Sequence, residues 1–322
     1  MRALSNDDIA FATQVVAIHG GKADQVASLP GVVNHVLRVT AAENDWVVRF
    51  PVDPRRPNEF PAEIWVAHQA SLVGIASPHL VGTGEVDGRP YMVVEYIGPQ
   101  EAPAADQLWG WLGRYAATLA RVPLDQAPEQ LFSRFGRHLP SAWTYHLGYN
   151  LEQLSQRDPL IEDGVYHRQD LDRLRALLEP LKSTEFAFGL THGDLAPRNL
   201  IPRRAPSPPL LIDWGTATTG PAPWTDLQRV YVWAVHDQTI SPDALRRFAD
   251  AAGLPLSGHV TATLMQMTAL RFLDLARWAR ERRPDLYDQY RQSSQEGLRT
   301  ILGGDLCDPS TGSSASSASS LR

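Results

Sequence analysis

Residues 190–215 read Leu-Thr-His-Gly-Asp-Leu-Ala-Pro-Arg-Asn-Leu-Ile-Pro-Arg-Arg-Ala-Pro-Ser-Pro-Pro-Leu-Leu-Ile-Asp-Trp-Gly. Two short apolar runs, Leu200–Ile201 and Leu210–Ile212, flank a segment from Pro202 to Pro209 made mostly of Pro, Arg and Ser. That layout predicts a β-hairpin with a long, irregular tip. Asn199 stands just before the first run and Asp213 just after the second. An antiparallel hairpin puts those two positions at the same open end. An amide oxygen and a carboxylate held side by side are hard oxygen ligands of the kind that suit Mg²⁺. Asp194 lies five residues before Asn199, within reach of the same place through a loop. A carboxylate next to a metal-bridged polyphosphate is the arrangement that phosphoryl transfer uses.

The set His192-Gly193-Asp194, Asn199 and Ile212-Asp213-Trp214-Gly215 resembles the aminoglycoside phosphotransferase and choline kinase family of small-molecule kinases, which are relatives of the protein kinases. The resemblance implies an α+β, bilobal, protein-kinase-like fold. A small N-terminal lobe would hold an antiparallel sheet and one helix, and a larger C-terminal lobe would be mainly helical. It also implies roles: Asp194 as catalytic base, Asn199 and Asp213 as the residues that hold Mg²⁺, and ATP or GTP as donor. His192 would be structural, packing under the Asp213 turn. Asp226, in Pro221-Ala222-Pro223-Trp224-Thr225-Asp226, matches a family aspartate that braces the catalytic loop by accepting backbone hydrogen bonds. Position 196, which carries lysine in serine/threonine kinases, is Ala here. Arg198 stands where tyrosine kinases carry arginine, which implies a role in neutralising the transferred phosphate.

Composition narrows the class. The chain has 322 residues, 43% of them hydrophobic and 20% charged, which is a globular composition with room for more than one core. A net charge of −6 argues against a general nucleic-acid binder. The single cysteine, Cys307, excludes an intramolecular disulfide and suits a reducing compartment. The first residues, Met-Arg-Ala-Leu-Ser-Asn-Asp-Asp, hold no apolar signal core, and no run of 18 apolar residues occurs. The expectation is a cytoplasmic protein without membrane contact, monomeric or homodimeric.

Upstream of the hairpin, residues 7–18 predict a short amphipathic helix. Strand-like stretches follow at Val26–Leu29, His35–Val39 and Trp46–Phe50. Gly31-Val32-Val33-Asn34 falls where the family has its phosphate-covering loop, so Gly31 and Asn34 are candidate nucleotide contacts, with a plain hairpin turn as the competing reading. Arg49 shares a strand face with Val47, so a charge points where an apolar residue could stand. The resemblance puts Arg49 at the site of the phosphate-pairing lysine of the third strand, and Arg for Lys there is a departure in donor geometry. A helix is predicted from about Asn58 to Ile75, with Ile64, Ala67, His68, Ser71, Leu72 and Ile75 on one face. Glu63 is the candidate partner for Arg49, and Glu59 competes with it. Strands at His79–Gly84 and Tyr91–Tyr96 lead into the family's interlobe hinge, where Val94 and Tyr96 are the candidate contacts for the nucleotide base. The lobes are expected to span 1–98 and 99–303, with the boundary at about Pro99–Pro103 and a flexible Ser/Ala-rich tail over 304–322.

Helical stripes at Leu108, Leu112, Tyr115, Ala116 and Leu119, and at Leu171, Leu174, Leu177, Leu178 and Leu181, read as core. Trp143, Tyr145, His146 and Tyr149 suit a helical insert lining an acceptor pocket. Helices are predicted over Leu227–Gln238, Pro242–Ala252, His259–Arg282 and Pro284–Ile301. From Leu227 to Gly303 there are eight acids and ten arginines, a poor lining for a polycation. With Trp224, Tyr231, Trp233 and Trp278, this favours a neutral or mixed hydroxylated acceptor, such as a nucleoside, macrolide or peptide antibiotic.

Three functions compete at this point. One is O-phosphorylation of a small-molecule hydroxyl by ATP or GTP, of the resistance type or on a primary metabolite such as choline or homoserine. Another is a nucleotide-binding module without catalysis, for which Arg49 is the only support. The third is a metal-dependent phosphohydrolase, which would need further His or Asp ligands clustered at strand ends.

Overall fold

The structure, a computed structural model, describes residues 4–31, 33–41, 44–98, 105–204 and 207–303. The expected boundary at Pro99–Pro103 and the expected tail at 304–322 lie outside the described residues. The chain divides into two units. One comprises residues 1–108, 122–131 and 196–217, and the other 109–121, 132–195 and 218–322.

The first unit begins with α1, Asn6–Ile18, whose start is set by a capping box. The Ser5 hydroxyl accepts the Asp8 N–H at 3.1 Å, and the Asp8 carboxylate accepts the Ser5 N–H at 3.4 Å. Five antiparallel strands follow: β1 (Ala23–Ser28), β2 (Asn34–Ala41), β3 (Asn44–Pro51), β4 (Leu80–Val86) and β5 (Arg89–Glu95), in the order β1-β2-β3-β5-β4. Alternation decides the faces. Leu37, Val39, Trp46, Val48, Phe50 and Val93 turn to one side and bury against Ala12, Val15 and Val16 of α1. The register pairs Leu37 with Val48 and Val48 with Val93, which keeps that apolar set in line across three strands. The β4–β5 hairpin closes on Asp87-Gly88, with φ of 51° and 75°, the left-handed pair that a two-residue type I′ turn requires.

Between β3 and β4 runs α2, Phe60–Leu72. Its buried residues are Phe60, Glu63, Val66 and Ala70, while Leu72 is 68% exposed and His68 and Ser71 are exposed too. The face read from the sequence is therefore the wrong one, and the helix stops at Leu72 rather than Ile75. The cause is a carboxylate on the inward side: Glu63 breaks the apolar periodicity of the buried face because it has a partner there. The short hairpin of β7 (Leu200–Ile201) and β8 (Leu210–Leu211) belongs to this unit as well.

The second unit is mostly helical. Its helices are α3 (Ala105–Leu119, from Trp109 onward), α4 (Leu139–Gln153), α5 (Pro159–Glu162), α6 (Leu171–Leu178), α7 (Trp224–Val235), α8 (Pro242–Ala251), α9 (Gly258–Arg282) and α10 (Tyr287–Gly303). Strands β6 (Phe188–Thr191) and β9 (Thr218–Pro221) pair antiparallel, Thr191 against Thr218. Leucines 112, 119, 171, 174, 178 and 181 are buried, as their stripes predict. A Cβ at Gly297 would come within 2.1 Å of the Phe272 ring, so that glycine lets α10 lie close on α9. One internal ion pair was not legible in the sequence. Arg277 on α9 donates to both Asp158 oxygens at 2.8 and 2.6 Å, and the Tyr166 hydroxyl donates to the same carboxylate. Arg277 is thus an interior group, not one of the acceptor-lining bases it was counted among. Among the described residues, no helix is long and apolar enough to cross a membrane.

Candidate active site

Within the first unit, the hairpin pairs Leu200 with Leu211 and Ile201 with Leu210, and the Ile212 N–H donates to the Asn199 carbonyl at 2.9 Å. Asn199 therefore lies opposite Ile212, with Asp213 the next residue along. The backbone turns at once: Asp213 has φ 65°, a left-handed conformation that Asp tolerates better than most side chains. A 3₁₀ turn over Trp214–Thr216 follows. Asn199 is buried at 5% exposure, and the Asp213 side chain is 52% exposed, open to a ligand.

The turn is pinned by residues that no local pattern marks. The Trp214 Nε1–H donates to the Ser77 hydroxyl at 3.0 Å, which itself donates to the Leu211 carbonyl at 2.8 Å. The Leu211 N–H donates to the Ala76 carbonyl at 2.9 Å. These contacts span more than 130 residues of chain, and a lone Ser before Pro78 carries no local signal.

Arg49 completes this corner. Its guanidinium donates to Glu63 at 2.6 and 3.4 Å, and its Nη2 lies 3.8 Å from Asp213 Oδ1. Glu59, the competing acid, pairs instead with Arg56 at 3.0 Å. The Glu63 carboxyl is pushed up by burial, and the Asp213 and Glu59 charges add to this, while Arg49 opposes it. Gly215 is part of the fit. A Cβ there would stand 3.0 Å from Glu63 Oε1, so any side chain would crowd the carboxylate that holds Arg49. With side-chain exposures of 14% and 5%, the Arg49–Glu63 pair is largely buried. Removing one partner of such a pair leaves the other charge without compensation and costs about 3–5 kcal/mol. Arg49→Met is expected to lower stability by that order in denaturant unfolding, and Arg49→Met with Glu63→Gln to recover most of it. Equal losses in the single and double variants would refute a pairing energy of this size.

The other candidate nucleotide contacts are placed less tellingly. Gly31 sits in the β1–β2 connection, where a Cβ would meet the Asn34 carbonyl at 2.5 Å. Glycine is required there by the tightness of the turn itself, and Val32 lies outside the described residues. Val94 pairs with Val47 of β3 and Leu80 of β4, inside the sheet. The Tyr96 N–H donates to the Asp45 carbonyl at 2.7 Å and so is not open to a ligand in this geometry, while the Tyr96 ring carries the Arg38 guanidinium at 4.0 Å.

In the second unit, β6 ends at Thr191 and the chain turns at Gly193, with φ 80°. The N–H groups of His192 and Gly193 donate to the two oxygens of Asp226 at 3.2 and 2.7 Å, and the Asp194 N–H donates to His192 Nδ1 at 3.3 Å. His192 is fully buried and Asp226 nearly so. Burial pushes the Asp226 carboxyl up to about 6, the Asp194 charge adds to this, and the two backbone donors hold it back. Among the described residues, no group of three or more His, Cys, Asp or Glu side chains is placed to hold a metal ion.

Several solved structures share this architecture. The GDP complex of wild-type aminoglycoside 2'-phosphotransferase-IIIa aligns over 93% of this chain and 100% of its own, at 18% identity and a TM-score of 0.63. Spectinomycin phosphotransferase in complex with ADP and spectinomycin aligns over 92% and 98%, at 12% identity and a TM-score of 0.56. The streptomycin–ATP ternary complex of APH(2")-IIa aligns over 94% and 97%, at 13% identity and a TM-score of 0.57. At these identities the likeness is one of fold, the α+β protein-kinase-like class. No curated protein sequence matches the chain. The model of the phosphotransferase enzyme family matches residues 27–264, well over half of the sequence, and the chain belongs to that family as a small-molecule kinase.

Proposed function

We propose that the chain moves the γ-phosphoryl of ATP or GTP to a hydroxyl of a small molecule, an antibiotic or a related metabolite. The observation that carries this reading furthest is Arg49, held 2.6 Å from buried Glu63 and 3.8 Å from half-exposed Asp213. A fixed cation beside the open carboxylate of the Asp-Trp-Gly turn is what a nucleotide polyphosphate needs. In this reading Arg49 pairs with the phosphates and Glu63 fixes its aim. Asn199 and Asp213 offer an amide oxygen and a carboxylate at consecutive hairpin-end positions, a donor set of hard oxygens that fits Mg²⁺. When bound there, the ion would neutralise charge on the β- and γ-phosphates. Asp194 orients the acceptor hydroxyl and takes its proton. Arg198 steadies the transferred group, and His192 and Asp226 hold the loop. Positioning and charge stabilisation supply most of the rate.

The nucleotides named with structural neighbours support the donor side of this reading: one was solved with ADP and others with GDP or ATP. A cytoplasmic location goes with it, since the triphosphates are there. The reading as a nucleotide-binding module without catalysis retains only Arg49 in its favour, and Arg49 is held by Glu63 beside Asp213. The test is a screen of hydroxyl acceptors with Mg-ATP and Mg-GTP, read as a mass gain of one phosphate. Nucleotide-dependent stabilisation with no phosphorylated product from any acceptor would leave the binding-module reading standing instead.

Asp226 gives this reading a pH signature. Its carboxylate accepts two N–H groups with two oxygens, so protonation forfeits one acceptor and loosens the loop that carries Asp194. Turnover is expected to fall as pH drops through about 6. Stability follows the opposite sign. Because the folded value stands above the ordinary 3.8, this group favours the fold most below about 4, and that contribution is lost as pH rises through about 6. A kcat profile between pH 5 and 8, set beside unfolding at the same pH values, separates the two. An Asp226→Asn enzyme that kept wild-type turnover and the same acid limb would sink this assignment.

A further inference from the structure

Several arginines of the helical unit have carboxylate partners. Arg277 holds Asp158, Arg280 lies 3.0 Å from Asp163, Arg283 lies 2.8 Å from Asp285, and Arg134 lies 2.7 Å from Glu281. Two do not. Among the described residues, Arg271 on α9 makes no hydrogen bond or ion pair. Arg229 on α7 has a buried Nε without a hydrogen-bond partner and rests only over the Trp233 ring, 5.4 Å from its centroid. The two helices pack on each other, and the two guanidinium groups are near enough to repel. Asp274, one turn from Arg271 on α9, is already engaged by His146 at 3.3 Å, by Asn150 at 3.3 Å and by Arg134 at 3.6 Å. Burial first, and the Arg229 charge second, lower Arg271 to about 10, with Asp274, Tyr290 and Asp237 opposing. Yet Arg271 keeps some exposed surface.

Like charges near each other in a desolvated place, with the acid of the same helix already engaged elsewhere, disfavour the ligand-free fold. Such an arrangement is compensated when an anion binds, and two guanidinium forks are the donors that best match a carboxylate or a phosphate. Location matters as well. Arg229 lies three residues after Asp226, about 4.5 Å along the axis of α7, and Asp226 holds the backbone of His192 and Gly193 just before Asp194. The positive pair is thus one helical turn from the brace of the proposed base. Trp233 flanks Arg229 with the face of its ring.

We propose that the acceptor of this kinase carries an oxyanion, a carboxylate or a phosphate or sulfate monoester, on an apolar or aromatic body, and that Arg229 and Arg271 bind that oxyanion while the hydroxyl is presented to Asp194. This rests on the phosphotransferase reading for the hydroxyl, but the anion site stands on Arg229 and Arg271 alone. A polycationic acceptor of the kind found with the structural relatives would be repelled here.

The experiment is equilibrium binding to the full chain, read by thermal shift and tryptophan fluorescence. The probes are a panel of hydroxyaryl carboxylic acids, their methyl esters, the matching phosphate and sulfate monoesters, and kanamycin as a polycation. The free acids or monoesters are expected to bind at least about tenfold tighter than the esters, equivalent to about 1.4 kcal/mol, and to do so in competition with salt. Which of carboxylate and monoester binds more tightly names the source of the charge. Arg271→Gln and Arg229→Gln are expected to abolish that preference and, by removing the repulsion, to leave the ligand-free melting temperature unchanged or higher. Arg271→Lys should keep part of the preference. A lowered melting temperature in Arg271→Gln with the preference intact would assign the arginine a structural role and overturn the proposal, as would equal binding of acids, esters and kanamycin. Phosphate transfer, followed by mass in the same mixtures, is read separately. Anion binding that depends on the arginines but yields no phosphorylated product would support this site and count against the phosphotransferase reading.

Discussion

Asp194→Asn is expected to lower turnover by about 10²–10⁴-fold, the range that a positioned general base supplies, while nucleotide still binds with an affinity within about twofold of the parent. The change keeps shape and removes only the charge and the proton-accepting oxygen. The loop should survive it, because its backbone is held from outside: the His192 and Gly193 N–H groups donate to Asp226, and Asp194 contributes its own N–H, not its side chain, to His192 Nδ1. A second consequence distinguishes this account from mere misfolding. The Asp194 charge is one of the influences that raise the Asp226 carboxyl to about 6, so its removal lets Asp226 ionise more readily. Any residual activity in the variant should therefore show its acid limb at lower pH than the parent. Full turnover in Asp194→Asn would remove it as the base. An unchanged acid limb would mean that Asp226 does not govern it.

Much of the first unit could be read from alternation alone. In β3 the sequence Trp46-Val-Val-Arg-Phe puts Trp46, Val48 and Phe50 on one face, and they are the residues buried against α1. The same period marked Arg49 as a charge on the opposite face. Helix α2 was misread because the rule that found β3 fails there. Its inward stripe contains Glu63, and Leu72, apolar and outward, is 68% exposed. The sequence supplied two acids for Arg49, and only the geometry of the helix start separates Glu63 from Glu59. What the sequence could not offer were contacts between distant segments with no periodic signature: Ser77 under Trp214 and Arg277 on Asp158. A tally of arginines in the helical region treated all ten as equal. Three-dimensional pairing sorts them: Arg246, Arg277, Arg280, Arg283 and Arg291 lie beside carboxylates, while Arg229 and Arg271 are partly buried without one among the described residues.

Asp213→Asn is expected to raise the Mg²⁺ concentration needed for half-maximal turnover by more than the roughly 10–100-fold typical of losing a group that only supports a metal ligand, and to cut turnover at saturating Mg²⁺ as well. The argument is one of charge and position. Asp213 is the open member of the pair, 52% exposed on its side chain, whereas Asn199 is buried and neutral, so the formal negative charge available to a divalent cation at this hairpin end comes from Asp213. The backbone should tolerate the change, since Asn accepts the left-handed φ of 65° at least as well as Asp. The tethers of the turn, Trp214 to Ser77 and Leu211 to Ala76, do not involve the Asp213 side chain. Glu63 responds too: Asp213 is one of the charges that push its carboxyl up, so neutralising Asp213 lowers Glu63 toward its ordinary range and leaves Arg49 more firmly ionic with Glu63 alone. Folding stability should therefore hold or rise while catalysis fails. Titrating turnover against Mg²⁺ at fixed nucleotide, with unfolding measured in parallel, checks both halves. A variant that saturates at the parent's Mg²⁺ concentration would take Asp213 out of the metal site. One that loses stability in step with activity would reassign it to holding the turn.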